Sequence, residues 1–315
     1  MKPDRSCFCL NMNLSLVGAV LVAMTMILGC ASVSRIKDFK VPFKGENVSL
    51  KKKVAIARIQ NISGIKDNAL VDNLETLVME DLTKTCSQSL FLLSGTSQVL
   101  SFLENPDNKP SGGRSSLHLA EEGRKAGLNI IVFLSLTGIH LEEDQNGFLW
   151  FKKDRNSVKL TIRMEVFDPY TGAKILYENL SWDVPIGSDE VIPYKEGKIS
   201  GMVSINEAMG EISETIRETL CKSLKELPWK GFIVHSDGDG VEISSGAEVG
   251  IHAGDEFVVY ENYGTVGGVG GEQYRIPGLA IDELTITAVT SDRARGISAS
   301  GKALPRGSFI QAKEK

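Results

Sequence analysis

The sequence predicts an α+β protein, a mixed sheet with packed helices followed by a small all-β barrel or sandwich. Three observations carry this reading. Between residues 51 and 227, apolar runs of strand length alternate with stripes at helical spacing. Past Leu227-Pro228 the helical spacing stops, because Pro cannot continue a helix. From residue 228 to 315, short β-type runs recur between Gly and Asp-Gly turns.

The first of these regions opens on Lys53-Val54-Ala55-Ile56-Ala57-Arg58-Ile59, a compact apolar strand closed by Asn61-Ile62-Ser63-Gly64. Leu70, Leu74, Leu77, Val78 and Leu82 then fall on one face of a helix. Leu90–Leu93 predicts a second buried strand, and Thr96 to Leu103 a short helix. Asn105-Pro106 to Gly112-Gly113 is a loop, and Ser115 or Ser116 starts a helix to Ala126 with Gly127 as its C′ residue. Ile130–Leu134 is apolar on both faces, as a central strand requires. Val158, Leu160, Ile162, Met164 and Val166 alternate with polar residues, giving one dry face. Asp168-Pro169-Tyr170-Thr171-Gly172 turns the chain into a returning strand, Ala173 to Leu180. An irregular stretch holding Pro185 and Pro193 precedes a long helix striped by Ile205, Met209, Ile212, Ile216, Leu220 and Leu224.

Beyond residue 228 the strand candidates are Gly231–His235, Val241–Ser244, Glu256–Tyr260, Ile281–Val289, Ala294–Ala299 and Ser308–Ala312. Gly264 to Gly271 follows a strand with no helix behind it, so it reads as a loop rather than a phosphate cradle. Asp237-x-Asp239 with Glu248 hints at a calcium loop, but Val241 and Glu242 stand where a ligand and a Gly belong, so a hairpin turn is expected.

The amino terminus sets the compartment. Lys2 and Arg5 precede an apolar run from about Leu14 to Leu28, too short for a spanning helix, which needs about 20 residues, and suited to a secretory signal. The run ends in Ile27-Leu28-Gly29-Cys30, which resembles the lipobox of bacterial lipoproteins. That resemblance implies cleavage before Cys30, a diacylglycerol on its thiol, and, with Ala31 next, sorting to the outer membrane. The expected organisation is a signal peptide over 1–29, a tether over 30–50, an α/β domain over 51–227 and a small β domain over 228–315. A flexible tether of this length reaches roughly 25 Å. Processing removes Cys7 and Cys9 and lipid consumes Cys30, leaving Cys86 and Cys221 in a compartment that permits a disulfide. Sequence alone leaves open whether they pair.

From Val54 to about Leu224, the order of elements resembles the CsgG/LpoB-type outer-membrane lipoproteins. The matching pieces are Val54-Ala55-Ile56-Ala57, the Leu74/Leu77/Leu82 helix, Gly123 to Val132, and Val158 to Gly172 ending in Asp168-x-x-Thr171-Gly172. The last 87 residues resemble the C-terminal β domain of flagellar assembly protein T, through Trp229-x-Gly231, Val241-x-Ile243-x-x-Gly246 and Gly250-Ile251-x-x-Gly254-Asp255-x-Phe257. The resemblance implies a lipid-anchored protein on the periplasmic face of the outer membrane that binds envelope proteins. It also implies a scaffold or accessory role in curli-like secretion, flagellar or peptidoglycan machinery. The alternative is a protomer of an oligomeric CsgG-like channel, a homo-oligomer.

The channel alternative needs strands of about 9–11 alternating residues. Between Ile139 and Asn156, Phe148-Leu149-Trp150-Phe151 does not alternate and charge clusters flank it, so the segment is not expected to form two strands of membrane depth and a turn. The apolar run reads either as a hairpin tip set on a partner or membrane surface, or as core. Leu180 to Val203 carries Pro185, Pro193 and six charged residues, which argues against lipid-facing strands.

Nothing in the sequence advertises catalysis. H-E-x-x-H, C-x-x-C, G-x-S-x-G and Walker A patterns do not occur. The four histidines, His118, His140, His235 and His252, show no Cys or acidic partner at ligand spacing, so no metal or cofactor is expected. A formal charge of −5 gives no electrostatic case for nucleic acid.

Overall fold

The computed structural model describes residues 50–95, 98–104, 115–146, 153–237, 240–269 and 271–313. The expected signal peptide, Cys30, the expected tether up to residue 49 and Phe148–Phe151 lie outside them.

The first half is a mixed sheet ordered β3-β1-β4-β5-β6. Its strands are β1 (Lys52–Ile56), β3 (Ser89–Leu93), β4 (Ile130–Asn146), β5 (Lys153–Phe167) and β6 (Lys174–Ile186), with β2 (Gln60–Asn61) beside β4. β1 runs parallel to β3 and β4, whereas β4, β5 and β6 are antiparallel. One face packs on helices α1 (Asn68–Thr85) and α4 (Val203–Lys225). All six predicted stripe residues of α4 are buried, as are Val158, Leu160, Ile162, Met164 and Val166 of β5. Each such side chain contributes about 1.5–3 kcal/mol of burial. The opposite face of β1 and β4 packs on α2 (Ser115–Lys125) and a 3-10 turn, Gln98–Glu104. The short helix α3 (Val191–Lys195) places the Tyr194 hydroxyl where it accepts from Leu141 N, 3.0 Å, and donates to Ile139 O, 3.1 Å.

The second half is a closed antiparallel barrel ordered β10-β11-β8-β7-β12-β9. Its strands are β7 (Gly231–Asp237), β8 (Gly240–Ile243), β9 (Glu256–Gly267), β10 (Gln273–Val289), β11 (Ala294–Ser298) and β12 (Phe309–Ala312). Ile233, Val241, Ile243, Phe257, Val259, Leu284, Ile286 and Ile310 fill it. Leu50 joins this core, and Lys51 N donates to Val249 O, 2.8 Å.

Four local expectations change. β3 is a half-buried edge strand rather than a buried one, because only β1 pairs with it. Pro185 lies inside β6 rather than in an irregular stretch, since β6 is an edge strand and an edge tolerates a missing N–H. Residues 139–146 and 153–156 do form hairpin arms, pairing to Asn146↔Lys153, because backbone pairing does not require alternating side chains. Finally, Gly264–Gly267 is strand, in register with Gln273–Ile276 of β10, because a two-stranded ribbon asks little of side chains.

Candidate functional site

Cys86 and Cys221 lie 135 residues apart in sequence and face each other at the end of the α1/α4 layer. Cys86 caps the C-terminus of α1, Cys221 sits in the last turns of α4, and their sulfurs are joined with Cα atoms 6.1 Å apart.

The sheet and barrel meet along a seam whose centre is the turn Asp168–Gly172. Asp168 holds the turn by accepting from Tyr170 N, 2.9 Å, and Thr171 Oγ1, 3.0 Å, as expected of an Asp that starts a hairpin turn. It also receives Lys230 Nζ from the barrel side, 3.3 Å, and that ammonium lies 4.5 Å from the centroid of the Tyr170 ring. The Tyr170 ring meets Phe309 at 4.1 Å, and Phe309 stacks on Tyr260 at 4.7 Å. Burial pushes the Tyr170 phenol well above its ordinary value, with the Asp168 carboxylate adding to the shift. Asn129 ties the two halves by accepting from Lys53 N, 3.0 Å, and donating to Lys230 O, 2.8 Å. Lys53 pairs with Glu248. Gly127 ends α2 at φ +71°, and a Cβ there would lie 2.0 Å from Ser244 O. Glycine at this position lets α2 reach the barrel.

Beside the seam opens a cleft of about 420 Å³. Helix α2 brings Glu121, Arg124 and Lys125, β7 brings Phe232–Val234, and Arg275, Arg293 and Arg306 come from the barrel. Arg124 is buried and donates to Pro169 O at 2.8 Å, and Arg275 N donates to Thr171 O at 2.8 Å. Both guanidiniums share one carboxylate, Glu121 Oε1, at 4.0 Å from Arg124 and 3.1 Å from Arg275. Burial, with repulsion from Arg275, lowers the Arg124 pKa to about 10. Arg293 Nη2 donates to Lys125 O, 3.3 Å, and Arg306 Nε to Val234 O, 3.0 Å. Sequence reasoning did not find this cleft. Its cations are scattered between Arg124 and Arg306 with no periodic signal. Two pieces singled out by resemblance, Gly123 to Val132 and the Asp168–Gly172 turn, bring Arg124 and Lys125 to it or lie beside it, but neither resemblance pointed to a cleft.

β9 and β10 outrun the barrel. From Glu261 to Gly267 and Gln273 to Glu283 the only strand either one pairs with, among the described residues, is the other, making a ribbon with bulges around Pro277 and Ala280. Arg275 N still donates to Thr171 O of the seam turn, and Ala299 N to Glu283 O. It exposes Tyr263 (72%), Val266 (50%), Leu279 (74%) and Ile281 (40%). Such apolar side chains on a projecting element are suited to contact with another surface.

His235 does have an acidic neighbour, Asp237 Oδ2 at 3.0 Å from Nε2. The expectation that it had none is thereby corrected: residues i and i+2 of a strand share a face. Gly240 N donates to Asp237 Oδ1, 3.1 Å, at a β7–β8 hairpin, while Glu248 points to Lys53 instead. Among the described residues, no three His, Cys, Asp or Glu side chains gather as a metal-binding group. Among the same residues no helix is long and apolar enough to cross a membrane, which leaves strands undecided.

No family model matches the chain, and no curated protein matches it. Solved structures are similar at a distance. The hypothetical protein CT253 from Chlamydia trachomatis is 15% identical, covering 56% of this chain and 96% of its own, with a TM-score of 0.35. A minor lipoprotein from Acinetobacter baumannii is 15% identical over 55% of this chain and 94% of its own, with a TM-score of 0.29. Lipoprotein GNA1162 from Neisseria meningitidis is 9% identical over 47% and 98%, with a TM-score of 0.27. Likenesses this distant carry no argument about function, which rests on the chain itself.

Proposed function

We propose that this chain is an outer-membrane lipoprotein, held on the periplasmic face by lipid on Cys30, that works without catalysis as a scaffold or accessory factor in cell-envelope assembly. The distribution of its cysteines carries this reading. Two of the five lie in the signal, one closes the lipobox-like motif, and the remaining pair meet as a bridge between α1 and α4. Every thiol is accounted for if the folded part lives in an oxidising envelope compartment. More than one acyl chain on Cys30 gives stable anchoring, since each buried CH₂ contributes about 0.8 kcal/mol.

Leu50, the last residue of the expected tether, packs into the barrel core. Confinement to a plane, with a reach of roughly 25 Å, raises the effective concentration of the body near envelope partners. The β9–β10 ribbon is the contact element, through Tyr263 and Leu279.

The test places a photo-crosslinking residue at position 263, at 279, or at the exposed α1 position 72 of the anchored full chain in its own envelope. Positions 263 and 279 are expected to capture one and the same envelope protein, and 72 to capture none. Equal labelling from all three positions, or large rings of the purified protein that conduct ions across a bilayer, would contradict the adaptor reading.

A further inference from the structure

We infer that the seam cleft between α2 and the barrel is a binding site for a small organic anion bearing a phosphate or carboxylate group. This goes beyond the anchored-adaptor reading and does not depend on it. Five cations, Arg124, Lys125, Arg275, Arg293 and Arg306, line a cleft whose one lining carboxylate is Glu121. At the rim Glu122 pairs with Lys125, 2.6 Å, and Asp292 lies 3.8 Å from Arg293, which leaves a net charge of +2. The C-terminus of α2 adds about −0.5 of an elementary charge, and Arg293 already caps it.

Packing of the halves explains some of these cations but not their number together. Arg124 and Arg275 lie beside each other on one shared carboxylate, a juxtaposition that costs stability unless more negative charge arrives. Arg275 Nε and Arg293 Nη1 are buried donors that meet no acceptor among the described residues. Unmet donors of this kind are costly in a folded chain, and sites built for a ligand are where they persist. Guanidinium forks match the planar or tetrahedral oxygens of carboxylate and phosphate, which a lysine cluster does less well. A volume of about 420 Å³ is within the range of small-molecule sites, and the β7 wall, Phe232–Val234, brings no charge to oppose an anion.

Calorimetric titration of the full chain, at fixed ionic strength in chloride, tests this with pyrophosphate and citrate as separate probes. A single saturable site is expected for at least one probe. Pyrophosphate alone marks a phosphate ligand, and citrate alone a carboxylate one. Arg306→Gln is expected to weaken it about tenfold, the loss of one charge-assisted hydrogen bond. Arg306 is exposed and bonds only a backbone oxygen among the described residues, so folding should survive, and unchanged thermal melting without probe would show this. Lys125→Gln, at a site 69% exposed, is the second variant and is expected to weaken binding two- to fivefold. No saturable binding of either probe, or binding left unaltered by both substitutions, would overturn the assignment.

Discussion

The two halves of the molecule solve the same problem differently. The sheet leaves two edges open, at β3 and β6, and gains its stability from helices on its faces. The barrel closes on itself and, among the described residues, carries only the 3-10 turn Ala247–Val249 besides α2 at the seam, and its core is much smaller. Closure removes the edge-pairing hazard but leaves little apolar area to bury. The difference teaches that the barrel should depend on the seam, through Phe309, Tyr170 and Gly127, more than the sheet does. The sheet half should depend instead on the bridge that joins α1 to α4.

The largest expected effect comes from the seam. Phe309→Ala removes a ring that is fully buried between Tyr170 and Tyr260 and should cost about 3–5 kcal/mol. Hydrogen exchange should show β7, β9 and β12 losing protection well before β4 and β5. Simultaneous loss in both halves would break the comparison. Next, replacing Cys86 and Cys221 together by Ala opens a cross-link spanning 135 residues and should cost about 2–4 kcal/mol, read from urea unfolding. Here the order inverts, with α1 and α4 opening first and the barrel following.

Gly127→Ala sharpens the comparison at one position. It combines a left-handed φ with a collision on the Ser244 carbonyl and should cost about 2–3 kcal/mol, with the barrel's melting moved more than the sheet's. The smallest effect belongs to Glu190, which sits beyond β6 and receives Ser204 N, 3.0 Å, in the first turn of α4. Burial pushes its carboxyl up, but hydrogen bonds from the Ser204 hydroxyl and from backbone N–H groups outweigh this and hold it below 4.5. A depressed carboxyl contributes stability above its unfolded value, and that contribution is lost as pH falls through the folded one. Glu190→Gln should therefore cost about 1 kcal/mol at pH 7, the size of a lost helix cap, and the gap to the unaltered protein should close as pH falls through its lowered folded value. A gap that stays constant from pH 7 to pH 3 would remove Glu190 from this role.

Much of the fold was legible because periodicity reports burial. The α4 stripe and the β5 alternation named buried residues correctly, since each element has one dry face. Glu75 was not legible. It is buried in the α1 face because Arg58 Nη1, 2.9 Å, and Ile59 N, 3.0 Å, reach it from the end of β1, and no local pattern announces a paired carboxylate. Pro185 and Gly264 misled for a common reason. Residue preferences describe central strands, and both positions lie where pairing is one-sided. The cleft was out of reach altogether, because Arg124 and Arg306 become neighbours only once α2 has docked on the closed barrel. Cys86 and Cys221 were visible as leftovers, while their approach depended on how α1 and α4 pack.

The anchor is the premise of the proposed function, and mass spectrometry of the protein extracted from its native membrane tests it most directly. The account predicts that the amino-terminal peptide begins at position 30, with glyceride and acyl mass on the cysteine, and that Cys30→Ala leaves the membrane fraction. A peptide beginning elsewhere, or an unmodified thiol at position 30 on a protein that still sediments with membranes, would contradict it.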